Sequence, residues 1–151
     1  MKQDTRPEPF WKTKKLSELD ELQWEALCDA CGKCCLIKLD FEDTGERCYT
    51  RLVCRYFDER QHRCSCYRER TVKVPTCVKL TPGNLSAVSF MPATCAYRLL
   101  SQGRDLPWWH PLVAGTPEAV HEAGASIRGR VVCEDLVDPD DWEEHIITWA
   151  E

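Results

Sequence analysis

The sequence has no long apolar run. No stretch approaches the roughly 18 consecutive apolar residues that a membrane helix needs, so we expect no membrane span. Residues 1–15 are charged and contain no apolar segment of the kind found in secretory signal peptides. We therefore expect a cytoplasmic protein, in a compartment that keeps thiols reduced.

Signals of several enzyme and binding classes are missing as well. The seven glycines form no recognised phosphate-binding loop, and His121-Glu122 lacks the second histidine of a zinc protease. No cysteine is marked as a nucleophile by its neighbours, so the sequence does not decide whether the protein is an enzyme. A net charge of −5 argues against nucleic acid as the partner.

Cysteine, by contrast, is abundant. The chain has 11 cysteines in 151 residues, and four of them lie in residues 28–35. Thiols at this density either form disulfides or coordinate metal. A reducing cytosol disfavours disulfides, and an odd number of cysteines cannot all pair within one chain. We therefore expect a metal ion or cluster to be the partner of these thiols.

Two kinds of metal site fit the cysteine spacing. Cys28, Cys31 and Cys34 follow the pattern C-x2-C-x2-C, with which one loop holds three corners of a 4Fe-4S cluster while a distant cysteine supplies the fourth. A structural zinc site usually takes two separated pairs of ligands instead. Cys35 directly follows Cys34, and two adjacent side chains rarely bind one metal. Cys35 therefore either turns to a second centre or takes the place of Cys34.

Further thiols along the chain extend the candidate ligand set. The predicted metal ligands are Cys28, Cys31, Cys34, Cys35, Cys54, Cys64, Cys66 and Cys77. Eight thiols can form two four-thiolate sites, or one site while several of the cysteines bind no metal. The spacing leaves both arrangements open. Cys95 is a ninth candidate, and His62 is a candidate extra ligand because imidazole binds metals readily. Cys48 and Cys133 are isolated and are interpreted as free thiols.

Several blocks of the sequence together resemble a known family. The blocks are residues 28–35 (CDACGKCC), Cys54-Arg55, residues 63–67 (RCSCY), 75–81 (PTCVKLT), 91–100 (MPATCAYRLL), 109–112 (WHPL) and 126–129 (SIRG). Over nearly all residues after residue 8, the chain resembles the bacterial YcgN-like proteins, a branch of the YkgJ-type CxxCxxCC domain. The resemblance implies chelation of zinc or iron, with no assigned reaction. A related domain in a flagellin lysine methylase is associated with an iron–sulfur cluster, which implies iron.

The expected architecture is a small, mainly α single domain with irregular cysteine-rich loops and minor β structure. The length fits one domain, here residues 16–151, preceded by a flexible arm at residues 1–15. The patterns predict a helix that Ser17 caps and that runs toward Cys28. Further helices are predicted over 93–100 and 116–124 and after Asp138. Strands are predicted at Leu36–Phe41, 71–74 and 126–134. Few large aliphatic residues lie between Cys28 and Cys77, so we expect metal binding to contribute to folding.

Three functions are consistent with these patterns. The leading hypothesis is a cytosolic metal-binding protein that coordinates iron, as an iron–sulfur cluster, or zinc. One alternative is an iron–sulfur-dependent enzyme, in which His110, Trp109 and Arg98 line a pocket beside the cluster. The other is a structural zinc module that mediates protein–protein interaction. His110 also fits a second interpretation, as a loop histidine that hydrogen-bonds locally.

Overall fold

The computed structural model describes residues 8–75, 77, 79–84 and 91–150, and both helices and strands shape this part of the chain. The α-helices are α1 (Phe10–Thr13), α2 (Glu21–Ala26), α3 (Arg70–Lys73), α4 (Ala96–Ser101), α5 (Pro111–Ala114) and α6 (Ala119–Glu122). The strands are β1 (Leu36–Phe41), β2 (Glu46–Val53), β3 (Phe57–Asp58), β4 (Arg63–Cys64), β5 (Val132–Cys133) and β6 (Ile146–Ile147). Short 3₁₀ helices lie at Leu16–Glu18, Lys33–Cys35, Tyr67–Glu69, Glu134–Leu136 and Pro139–His145.

This arrangement is a small α/β domain, so the prediction of a mainly α fold is wrong. The described α-helices are only four to six residues long, and such helices are too short to pack into a helical layer by themselves. The sheet provides the longest regular elements instead. Its central strand β2 pairs antiparallel with β1 and β6 and parallel with β5, while β3 and β4 form a separate two-stranded hairpin.

The hairpin of β1 and β2 contains an irregularity close to the cysteine-rich segment. The register between the two strands shifts between Leu36 and Lys38. The hydroxyl of the fully buried Thr50 donates a hydrogen bond of 2.7 Å to the carbonyl of Ile37. A buried side chain thus supplies a hydrogen bond to the backbone at the irregular part of the hairpin.

Two apolar clusters form the described core. The first contains the buried residues Leu27, Leu80, Met91, Ala96, Tyr97 and Leu106. The second contains the buried residues Leu36, Tyr49, Val53, Ile127 and Ala150. Leu27 is 0% exposed and Leu36 is 2% exposed, and these two residues directly precede and follow residues 28–35. The cysteine-rich segment therefore runs from one cluster to the other with each end anchored in a core.

The other predicted elements differ in detail from the structure. Asp20, not Ser17, caps the helix that precedes the cysteines: its carboxylate accepts a 2.8 Å hydrogen bond from the backbone N–H of Gln23. Residues 71–74, predicted as a strand, overlap helix α3. The strand predicted over 126–134 is reduced to β5, and the expected last helix is the 3₁₀ helix that Asp138 caps. The helices predicted over 93–100 and 116–124 are present in shortened form as α4 and α6.

The beginning of the described chain lies against the first cluster. Phe10 and Trp11 pack on it, and the indole N–H of Trp11 donates to Asp105 at 3.2 Å. Residues 1–7 lie outside the described residues, so the flexible arm stays a prediction. None of the helices described is long and apolar enough to cross a bilayer.

Candidate metal centre

The segment from Cys28 to Cys35 leaves helical geometry immediately after α2. Ala30 has a φ of +60° and Gly32 a φ of +80°, both in the left-handed region. One carboxylate oxygen of Asp29 accepts a 3.0 Å hydrogen bond from the backbone N–H of Cys31, which closes a tight turn. Helix α2 ends at Ala26, and the thiols of residues 28–35 are presented from a loop.

Two histidines hold the backbone of this loop. The ring atom Nδ1 of His110 accepts from the backbone N–H of Leu112 at 3.0 Å, so the ring proton lies on Nε2, which donates to the carbonyl of Leu27 at 2.7 Å. Nε2 of His62 likewise donates to the carbonyl of Ala30 at 2.8 Å. His110 is fully buried and uses both ring nitrogens, so its interpretation as a loop histidine is confirmed. It is not placed to line an open pocket.

One group of thiols surrounds this loop and is named here the first thiol group. Its members are Cys28, Cys31, Cys34 and Cys95. Partial desolvation raises the pKa of Cys28 to about 12, and the charges of Cys34 and Cys95 add to the rise. The pKa of Cys31 is raised by burial and then by Asp29, Cys34 and Cys28. Since these thiols perturb one another's pKa, they lie within electrostatic reach of one another.

Cys95 joins this group through contacts far apart in sequence. It directly precedes α4, and the buried ammonium of Lys33 donates to the hydroxyl of the neighbouring Thr94 at 3.1 Å. The hydroxyl of Tyr97 on α4 donates to the carbonyl of Trp24 on α2 at 2.6 Å. Burial raises the pKa of Cys95 to about 11, and the charge of Cys34 contributes to the rise. Helix α4 is thereby fixed beside the loop with Cys95 facing it.

A second thiol group lies at the other end of the loop. Its members are Cys35, Cys54, Cys64, Cys66 and Cys77. The backbone explains why the first three meet: the N–H of Cys54 donates to the carbonyl of Cys35 at 2.9 Å, beyond the paired ends of β1 and β2. The hairpin of β3 and β4 then returns the chain and pairs Cys64 with Phe57. The sulfur atoms of Cys64 and Cys66 are 3.7 Å apart.

The electrostatics of the second group agree with this placement. Burial raises the pKa of Cys54, Cys66 and Cys77, and the charge of Cys64 adds to the rise in each. The pKa of Cys35 is also raised, first by its hydrogen bond to Cys34 and by burial, then by the charges of Cys34, Cys64 and Cys54. The five thiols therefore share one electrostatic environment.

Cys34 connects the two groups. The hydrogen bond from the thiol of Cys35 lowers the pKa of Cys34 to about 7, and the positive charge of Lys38 assists. The ammonium of Lys38 is held in place because it donates to the carbonyls of Cys34 at 2.9 Å and Leu36 at 3.0 Å. Cys34 is also exposed at the surface, so it combines accessibility with a thiolate form that is readily reached near neutral pH.

All eight predicted ligands fall within these two groups, and Cys95, the ninth candidate, lies in the first group. The sequence signal for Cys95 was only the block at residues 91–100, because its approach to the loop depends on long-range packing. Thiolates suit both iron–sulfur clusters and zinc, so the donor set fits either. In the part of the chain that the structure describes, no three histidine, cysteine or acidic side chains stand ready to hold one ion. The ligand set therefore stays a prediction.

Two cysteines lie on strands, outside the two groups. Cys48 is on β2 opposite Leu39, and Cys133 is on β5 opposite Val53. Both side chains are half-buried. Their strand positions agree with their interpretation as free thiols.

The fold and the thiols define the class of protein: a small cysteine-rich α/β domain with a candidate thiolate centre. A UPF0260 protein of Parvibaculum lavamentivorans is 54% identical over 142 residues, which cover 94% of this chain and 93% of the relative. A UPF0260 protein of Marinobacter nauticus is 53% identical over 141 residues, which cover 93% of this chain and 95% of the relative. The chain belongs to the UPF0260 family.

These names state neither an activity nor a ligand, and they do not carry the YcgN-like assignment, which stays a prediction. A third relative, from Mesorhizobium japonicum, is 54% identical over 92% of this chain and 95% of its own length. No protein-family model matches the chain. No solved structure matches it either.

Proposed function

We propose that this protein binds metal through its two thiol groups, with an iron–sulfur cluster as the favoured cargo and zinc as the alternative. The observation that supports the proposal most strongly is the convergence of nine thiols from distant parts of the chain around one loop. Seven of these thiols are buried or half-buried, while Cys28 and Cys34 are exposed. Such a concentration of thiols matches the donor requirement of a thiophilic metal.

The spacing within the first thiol group favours iron. Cys28, Cys31 and Cys34 have the arrangement with which one loop holds three corners of a cluster, which leaves the fourth corner to a further donor near the loop. Cys35 belongs to the other group, which supports a role for Cys34 and Cys35 at two different centres. The second thiol group then provides enough donors for a further centre.

Iron and zinc are separated by elemental analysis. The full chain is purified without oxygen and without added metal, its visible spectrum is recorded, and iron, acid-labile sulfide and zinc are quantified per chain. Iron with matching sulfide and a thiolate-to-iron absorption supports the cluster. Zinc alone supports the zinc alternative. Protein that contains neither metal, and that takes up neither when iron and sulfide or zinc are supplied, contradicts the proposal.

A second candidate, an iron–sulfur-dependent enzyme, is favoured by one observation. An open groove of about 520 Å³ adjoins the second thiol group. Its lining includes Arg63, Cys64, Cys66, Tyr67 and Arg68. Two guanidinium groups lie beside the thiols, and the carboxylates of Asp58 and Glu69 line the same groove, so the lining suits a small polar substrate with an anionic group. The test is whether small carboxylates or phosphates shift the absorption or potential of the loaded protein, since a ligand in this groove lies beside the metal.

A further inference from the structure

Asp29 is buried in an unusual way. Its side chain is only 4% exposed, and one oxygen, Oδ1, accepts the hydrogen bond from the N–H of Cys31. The other oxygen, Oδ2, is fully buried and has no hydrogen-bond partner among the described residues. A buried carboxylate oxygen without a partner is costly, so its retention in a protein calls for an explanation.

The thiols of the first group and the imidazole of His121 lie within electrostatic reach of Asp29. The charge of Asp29 acts on all four members of the first thiol group, whose pKa values it raises. Lys33, the nearest buried cation in sequence, donates to Thr94 instead. No described residue forms an ion pair with Asp29. The carboxylate thus faces further negative charge as soon as any of these thiols ionises.

We propose that Oδ2 of Asp29 is an oxygen ligand of the metal bound by the first thiol group. A bound cation would give the orphaned oxygen a partner and would offset part of the negative charge of the carboxylate and the thiolates. The inference rests on the proposed function and extends it, because the centre then has both sulfur and oxygen ligands. A carboxylate is a harder donor than a thiolate and suits a different set of metals, so this position tunes which metal the centre holds.

The substitution Asp29→Asn tests this with little other change. An asparagine keeps the Oδ1 acceptor for the N–H of Cys31 and replaces only Oδ2. Cobalt(II) is the probe, because its visible spectrum reports the number of sulfur and oxygen ligands. In the full chain loaded with cobalt, we expect Asp29→Asn to change the ligand-field bands and to weaken cobalt binding on the order of 10- to 100-fold or more.

Asp138→Asn is the matched control. Asp138 also accepts a backbone hydrogen bond from the residue two positions later, Asp140, at 3.0 Å, but it is exposed on the 3₁₀ helix that it caps. We expect the cobalt spectrum and affinity of this variant to equal those of the unsubstituted protein. An equal effect of both substitutions would assign the change at Asp29 to turn geometry and would overturn the proposal.

A second variant keeps the test decisive if Asp29→Asn does not fold. Asp29→Cys replaces the oxygen donor with sulfur, so its cobalt form should gain thiolate-to-cobalt absorption if residue 29 touches the metal. An unchanged absorption overturns the inference. If the unsubstituted protein binds cobalt with thiolate absorption but neither variant changes the spectrum, only this inference fails. If the unsubstituted protein binds neither cobalt nor zinc and takes up no iron with sulfide, the proposed function fails as well.

Discussion

Among single residues, Gly32 carries the strictest backbone requirement of the cysteine-rich segment. Its φ of +80° is one that residues with a Cβ rarely adopt, and a Cβ placed there would lie 2.8 Å from Cδ1 and Cγ1 of Ile127. Ile127 is fully buried in the second cluster, and its N–H donates to the carbonyl of Cys31 at 2.9 Å. The loop therefore approaches the core more closely than any side chain at this position permits.

The substitution Gly32→Ala is expected to destabilise the protein through both effects. Gly45→Ala is the control, because Gly45 has a φ of +72° and no atom within 4 Å of an added Cβ. We expect about 1–2 kcal/mol for the backbone conformation at either site, and a further 1–3 kcal/mol at Gly32 from overpacking. Urea unfolding measures both values. Adding Ile127→Val should recover part of the excess at Gly32, and equal losses at both glycines would argue against the clash.

Cys31→Ser addresses the metal ligands directly. Cys31 is 8% exposed and belongs to the first thiol group, so we expect the variant to lose metal from this group and to melt at a lower temperature. The side-chain change alone should cost about 0.5–3 kcal/mol. Metal analysis and thermal unfolding of the anaerobically purified protein check this. Cys48→Ser should retain full metal content, and retained stoichiometry in Cys31→Ser would contradict its role.

For single residues, the sequence could predict which cysteines are candidate metal ligands, but not how these cysteines are distributed between the two thiol groups. The spacing of residues 28–35 implied a loop with several donors and a conflict between Cys34 and Cys35. The backbone N–H of Cys54 donates to the carbonyl of Cys35, which holds Cys35 beside the second thiol group. The approach of Cys95 depends on contacts between helices that are distant in sequence. Such contacts produce no local sequence pattern from which the position of Cys95 could be predicted.

Among the helices and strands, α2 matters most for the candidate centre because it leads directly into Cys28. The side chain of Gln23 accepts from the backbone N–H of Asp20 at 3.2 Å while its own N–H donates to Asp20, a reciprocal capping box. The cap fixes where this six-residue helix begins and, with it, the direction in which the chain enters the loop.

Asp20→Ala is expected to lower the free energy of unfolding by about 0.5–2 kcal/mol, since it removes the cap. Ser17→Ala is the comparison, because Ser17 is exposed and does not cap α2. We expect it to change stability little. Chemical denaturation measures the free energy of unfolding of both variants. A larger loss for Ser17→Ala than for Asp20→Ala would indicate that Ser17 is the cap.

Strand β1 and helix α3 show what local patterns can and cannot predict. Leu36–Phe41 alternates apolar and polar residues, and the strand is confirmed because its hairpin partner follows directly in sequence. Residues 71–74 have strand-forming Val and Thr but adopt the helix Arg70–Lys73, since a short 3₁₀ helix at Tyr67–Glu69 leads into it. Tertiary context outweighs propensity in so short a segment.

For the whole molecule, the raised pKa values imply that metal binding depends on pH. Thiols such as Cys28, with a pKa of about 12, and Cys95, with a pKa of about 11, hold their protons at pH 7 in the metal-free protein. Metal must displace those protons, so affinity should fall as pH falls. Below pH 7 the decrease should steepen, because Cys34, with a pKa of about 7, also becomes protonated. Zinc competition at pH 6 and pH 8 checks this, and pH-independent affinity would contradict thiolate ligation.

The position of the cysteine-rich segment between two apolar clusters has a consequence for cooperativity. Leu27 precedes the cysteine-rich segment in the first cluster, and Leu36 follows it in the second. Metal bound by this segment would link the two clusters, so the domain should unfold in one transition. After chelation, the loop between Leu27 and Leu36, which contains left-handed residues, is no longer held by metal. Calorimetry of the metal-free protein should therefore show two overlapping unfolding transitions, whereas the metal-bound protein should show a single one.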